Sequence, residues 1–135
     1  MDLQANAAMY LTEFDRSRRL VKISVAGDAT AEEAKSGLER LRSLLKDVEP
    51  GFSLLADLRA VVSMPTSAAP YIGQVMETCA DKGVALVVRL LPADPSRDIG
   101  LAIMSRFHYP PHIPIVTCAT MEEAMRHLLD ERREL

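Results

Sequence analysis

Two short apolar runs, FSLLADL at Phe52–Leu58 and VALVVRLL at Val84–Leu91, constrain this chain more than any other feature. Both are too short for a helix of ordinary length and are rich in Leu and Val. Pro50-Gly51 and Gly83 precede them, so both read as strands buried on two faces. Such strands are stable only inside a sheet covered by other elements, which points to an α/β domain.

The segments around these runs alternate in period. Tyr10–Asp15 and Leu20–Ala26 alternate apolar and polar residues across a polar loop containing Arg16, Ser17, Arg18 and Arg19, which predicts a hairpin with one wet face. After Gly27, Thr30 and Glu33 have capping-box spacing, and Leu38, Leu41, Leu44, Leu45 and Val48 follow at helical intervals. Ile72, Val75, Met76 and Cys79 mark a second helix, with Gly83 just past its end. Asp94-Pro95 reads as an N-cap and first helical position, with Ile99, Ala102, Ile103 and Phe107 as the inner face. Ile113–Cys118 is a last strand, where Pro114 favours an edge or a strand entry. Thr120 and Glu123 form another capping box before Met121, Ala124, Met125 and Leu128. The predicted order is ββαβαβαβα. Strands joined through helices become parallel neighbours, so a single domain over 1–135, with a core at about 9–129, should hold a mixed, mostly parallel sheet with helices packed on it.

Composition narrows the function classes. A chain of 135 residues with 48% hydrophobic and 26% charged residues is ordinary for one globular domain. The net charge of −3 supplies no basic field for nucleic acid, and with no Trp, three Phe and three Tyr a base-stacking platform is not expected. Cys79 and Cys118 lie far apart in apolar surroundings and read as core residues of a reducing compartment. MDLQANAAMY has no apolar core of a signal peptide, and no run approaches membrane-spanning length, so the expected location is cytoplasmic. No cofactor motif is present. His108 and His112 have a metal-ligand interval, but Pro110-Pro111 between them forbids the helix that would align them, so no metal is expected. Tyr109 in the same stretch reads as a packed aromatic in a surface loop.

One stretch stands out, DLRAVVSMPTSAAPY at 57–71, where an acid interrupts an apolar run and hydroxyl residues precede a helix. With the element order, it resembles the STAS family, the fold of bacterial anti-sigma factor antagonists, also described as SpoIIAA-like. A family pattern of the form D-L-S-x-V-x-x-M-D-S-S-G lays over it without a gap. Asp57, Leu58, Val61 and Met64 match, and Thr66 and Ser67 fall on the hydroxyl pair. Arg59, Pro65 and Ala68 depart from the pattern. TMEEAMRHLL is similar to the closing helix of SpoIIAA-like proteins. The resemblance implies a non-enzymatic regulatory module that binds a protein partner, a kinase or an anti-sigma-like regulator, with Ser67 as the phosphorylation candidate and Thr66 beside it.

Read from the residues alone, Thr66 and Ser67 are equally suited to capping the second helix. Asp57 is expected near the end of its strand, where ligands of open α/β sheets collect, and Arg89 late in the next strand. A second reading therefore places an anionic or apolar ligand in a polar cleft containing Asp57, Ser67 and Arg89, with Arg59, Met64 and Asp94 as further candidates for a ligand or partner surface. A homo-oligomeric structural protein is the plainest alternative.

Overall fold

The N-terminal alternation closes as expected into a hairpin, β1 (Tyr10–Asp15) and β2 (Leu20–Asp28), paired antiparallel from Tyr10↔Val25 to Asp15↔Leu20. Its turn is held by Asp15, whose Oδ1 accepts from Ser17 Oγ at 2.7 Å and Arg18 N at 3.2 Å. The computed structural model describes residues 10–63, 65–91 and 109–133.

Beyond the hairpin the chain forms α1 (Ala31–Leu45), β3 (Ser53–Ser63), one 3₁₀ turn (Thr66–Ala68), α2 (Ala69–Lys82), β4 (Leu86–Leu90), β5 (Ile115–Cys118) and α3 (Met121–Arg133). The helix expected after Asp94 lies outside the described residues. The strands follow one another in chain order, β1 to β5, and every pair after the first is parallel. This is the mixed, mostly parallel sheet that the alternation predicts, and β5, entered through Pro114, is an edge strand.

Both capping boxes act on their helices. Thr30 Oγ1 accepts from Glu33 N at 3.2 Å, and Thr120 Oγ1 accepts from Glu123 N at 3.1 Å. Glu123 Oε1 returns the favour by accepting from Thr120 N at 3.3 Å and Ala119 N at 3.2 Å, so the second box is closed in both directions.

The sheet buries both faces at its centre. Leu54 and Leu55, adjacent in β3, are each only 1% exposed. Leu54 joins Val21, Ile23 and Val87 in a core under α1 and α2, which contains Leu41, Leu45, Met76 and Cys79. Leu55 joins Leu20, Val88, Leu90 and Cys118 in a smaller core under Ala124 and Leu128 of α3. Right-handed crossovers in one direction along the sheet put α1 and α2 on a common face, while the last helix packs on the other. Both cysteines are free and buried, and burial pushes the Cys79 thiol up to about 12.

α2 ends at Gly83, whose φ of 98° lies in the left-handed region. A Cβ there would also stand 2.9 Å from Pro50 Cβ, because Gly51 N bonds back to the Gly83 carbonyl at 2.8 Å and holds the two loops together. Gly83→Ala should therefore lower the unfolding free energy by about 1–2 kcal/mol. Urea denaturation measures this, and an unchanged midpoint would show that the loop yields without strain.

Candidate functional site

β3 runs five residues beyond the end that its apolar pattern suggests, and this changes the setting of Asp57. Asp57 is in mid-strand, opposite Ser24 on β2 and Leu90 on β4. It lies in the last row in which β3 has a partner on each side, because β4 stops at Leu90 while β2 continues to Asp28. Past that row the register with β2 slips, from Ser24↔Asp57 to Ala26↔Ala60. β3 thus fits one extra residue there, a bulge.

The bulge explains both the apolar pattern and the acid. On a regular strand Leu58 and Val61 would point to opposite faces. With the slip both are buried in the core under α1 and α2. Arg59 has no cross-strand partner in the register, and its backbone N–H instead meets Asp57 Oδ1 at 3.2 Å. Its side chain folds back onto the same carboxylate, with Nε to Oδ1 and Nη2 to Oδ2 both at 3.0 Å. This fork, with the bulge amide, pulls the Asp57 carboxyl below the ordinary aspartate range, and Lys22 on β2 adds to the effect. Beside them lies a shallow depression of about 370 Å³ lined by Ser24, Val25, Ala26 and Ala60 as well as the ion pair.

Arg89 does not share that place. It is paired across the sheet with Ala56, one residue out of phase with Asp57, so it projects from the opposite face. There its Nη2 donates to Thr117 Oγ1 at 3.0 Å, beneath α1 and α2. The cleft expected to join Asp57, Ser67 and Arg89 is therefore not formed. The physical reason is the strand's period of two, which puts positions 57 and 89 in neighbouring rows. Met64, Asp94 and His108 lie outside the described residues. His112 is exposed and Tyr109 buried, and no group of three or more His, Cys, Asp or Glu side chains is placed to hold a metal among the described residues.

The hydroxyl pair behaves differently from the capping expectation. Thr66 and Ser67 form the 3₁₀ turn together with Ala68, and both are exposed. The residue that precedes the turn as its cap is Pro65, and the one that precedes α2 is Ala68; no side chain makes a capping bond at either point. The reason is phase: the turn inserts three residues between Pro65 and α2, which carries the hydroxyls past the positions from which they would reach the first helical amides. The first turn of α2 contains no acid, and its early position is taken by Pro70, which has no N–H to satisfy.

The residue that sequence reasoning passed over is Tyr10. It is the first described residue of β1, is 6% exposed, and its hydroxyl has no hydrogen-bond partner among the described residues. Only its place on the inward phase of the hairpin signalled burial. Nothing in the sequence signalled an unsatisfied hydroxyl.

A five-stranded sheet in chain order, opened by an antiparallel hairpin and covered by α1 and α2 on one face and α3 on the other, is the STAS, or SpoIIAA-like, fold. Solved structures bear this out. An uncharacterised protein of the DUF3478 family from Shewanella loihica, described as having a SpoIIAA-like fold, superposes with a TM-score of 0.67 at 16% identity, covering 88% of this chain and 93% of that one. The anti-sigma factor antagonist SpoIIAA in its unphosphorylated form gives 0.59 at 15% identity over 93% of this chain and 99% of its own. An anti-sigma factor antagonist from Mycobacterium paratuberculosis gives 0.59 at 21% identity over 90% and 93%. No family model and no curated protein matches the chain. No helix among the described residues is long and apolar enough to cross a membrane.

The Asp57–Arg59 fork is testable by titration. A carboxyl held low in the folded state stabilises the protein above its unfolded value of about 4, and that contribution is lost as pH falls through the lower folded value. Arg59→Met should return Asp57 toward the ordinary range and flatten the acid side of the stability profile, at a cost below about 1 kcal/mol near neutrality because Arg59 is well exposed. Carboxyl NMR shifts followed against pH read this directly. An Asp57 midpoint unmoved by Arg59→Met would mean that the bulge amide alone sets it.

Proposed function

We propose that this single domain is a regulatory protein-interaction module of the cytoplasm, working without catalysis. Its partner surface is the end of β3, the 3₁₀ turn and the outer side of α2. The observation that carries the reading is the state of Ser67: exposed, and with no capping role to explain its place. Val62, a large apolar residue 58% exposed on the same strand end, adds an adhesive point to this surface. Relatives in fold support the class, since two are anti-sigma factor antagonists and SpoIIAA is also solved in a phosphorylated form.

Phosphorylation of Ser67 by a partner kinase is the proposed control. A phosphate there brings about −1.5 to −2 charges at neutral pH to a surface next to an exposed apolar residue. The first turn of α2 contains no acid, so no like charge there opposes it. The modification is therefore tolerated by the fold and felt by the partner, an anti-sigma-like regulator with an apolar or acidic contact face.

Affinity capture from the source cell with wild type, Ser67→Ala and Ser67→Asp tests the reading. A partner retained by wild type and Ser67→Ala and weakened at least tenfold by Ser67→Asp is expected, a loss equivalent to about 1.4 kcal/mol. Equal recovery by all three proteins would end the switch. A single sharp homo-oligomer with no captured partner would favour self-assembly instead.

A further inference from the structure

α1 has two flanks beside its buried stripe, and its hydrogen bonds identify what each one faces. Arg40 Nη2 reaches the Tyr10 carbonyl at 2.9 Å and Gly37 lies against the Tyr10 ring, so that flank is turned to β1. Arg42 is on the other flank, where its Nη2 donates to Gln74 Oε1 of α2 at 3.3 Å. Lys35 precedes Arg42 by seven residues, close to two turns of helix, and therefore shares the flank that faces α2.

α1 and α2 each return from the end of one parallel strand to the start of the next, so they run in the same direction. Ser67 precedes Gln74 by the same seven residues. The Arg42–Gln74 contact thus sets a register that brings Lys35 level with Ser67, roughly 10 Å nearer the two N-termini. The 3₁₀ turn that contains Ser67 packs on α1, as this register requires. Both Lys35 and Ser67 are exposed. Among the described residues no carboxylate is within ion-pair distance of Lys35, although Glu32 and Glu39 are its neighbours along α1. Residues 65–73 contain no charged side chain, so a phosphate on Ser67 has no cation on its own segment. Arg59, the cation near the end of β3, is held in the fork on Asp57.

We propose that Lys35 is the cation that receives a phosphate carried on Ser67. This rests on the phosphorylation proposed above and adds how the modification is held. Packed helices have axes about 8–10 Å apart, a gap that a lysine stem and a phosphoserine bridge from facing flanks. Lysine suits the task, because its ammonium is a compact charge on a flexible stem and needs no fixed approach. The pairing ties the 3₁₀ turn to α1. It also changes the partner surface twice, since it adds negative charge at Ser67 and withdraws the Lys35 cation from an acidic contact face.

The test uses the full chain synthesised with a phosphate already on Ser67, followed by ³¹P NMR against pH. The second ionisation of such a phosphate lies near about 6. A cation beside it favours the dianion and lowers that midpoint. Lys35→Met should therefore raise the midpoint by about half a unit, the size expected of an exposed pair, and Lys35→Arg should restore it. The difference should shrink in about 1 M sodium chloride. A midpoint unmoved by Lys35→Met overturns the proposal, as does a shift that Lys35→Arg leaves in place. Partner capture with the same phosphorylated chains separates this from the switch itself. Pairing intact with the partner still bound refutes the switch and leaves the pairing standing; a lost partner with an unmoved midpoint does the reverse.

Discussion

Burial of the middle of β3 on both faces is the constraint on which the other elements depend. Leu54 and Leu55 point in opposite directions and both are removed from water, at roughly 2 kcal/mol for each side chain. That is possible only if one helix layer covers each face. α1 and α2 cover one, and α3 covers the other where β4 and β5 extend the sheet. Beyond Leu20 the hairpin strands lie outside the α3 core, so Glu13, Lys22 and Ser24 on that side are polar and at least partly wet. The double cover stops at Asp57, and the strand must change character there. The bulge is that change: it keeps Leu58 and Val61 in the one remaining core and leaves Arg59 and Ala60 outside.

Much of this architecture was legible in the residues. Val- and Leu-rich runs, two capping boxes and helical stripes specify element type and order, and parallel connection follows from them. The extension of β3 to Ser63 was not legible, because the bulge breaks the period on which strand recognition rests. In a regular alternation Asp57 looks like an acid intruding on a core. In the folded chain it is the group that satisfies the amide freed by the register slip. The opposed directions of Asp57 and Arg89 were concealed for a related reason: both sit late in apolar strands, but only the register shows that they occupy adjacent rows.

The hydroxyl pair illustrates a different limit. Ser and Thr just before an apolar stripe signal a helix start, and the start is correctly placed. Which residue occupies the capping position depends on one turn of 3₁₀ helix, a difference of three residues that propensity does not resolve. That turn takes Ser67 out of the machinery of folding. Its hydroxyl is then exposed to selection by a partner or a modifying enzyme without cost to the helix, which a capping serine would not be.

The same reasoning separates what the fold requires from what a function adds. Superposition at 15–21% identity shows that this topology is compatible with widely different side chains. Residues that follow the pattern, such as Leu54, Val87 or Cys79, are therefore explained once they are buried. Residues that violate it are not, because a sequence selected only for stability would remove them. Asp57 violates the pattern and is accounted for by the bulge and Arg59. Tyr10 violates it as well: phenylalanine would fill the same volume against Gly37 without burying a donor. No contact among the described residues balances that hydroxyl, so its burial costs stability that phenylalanine would not.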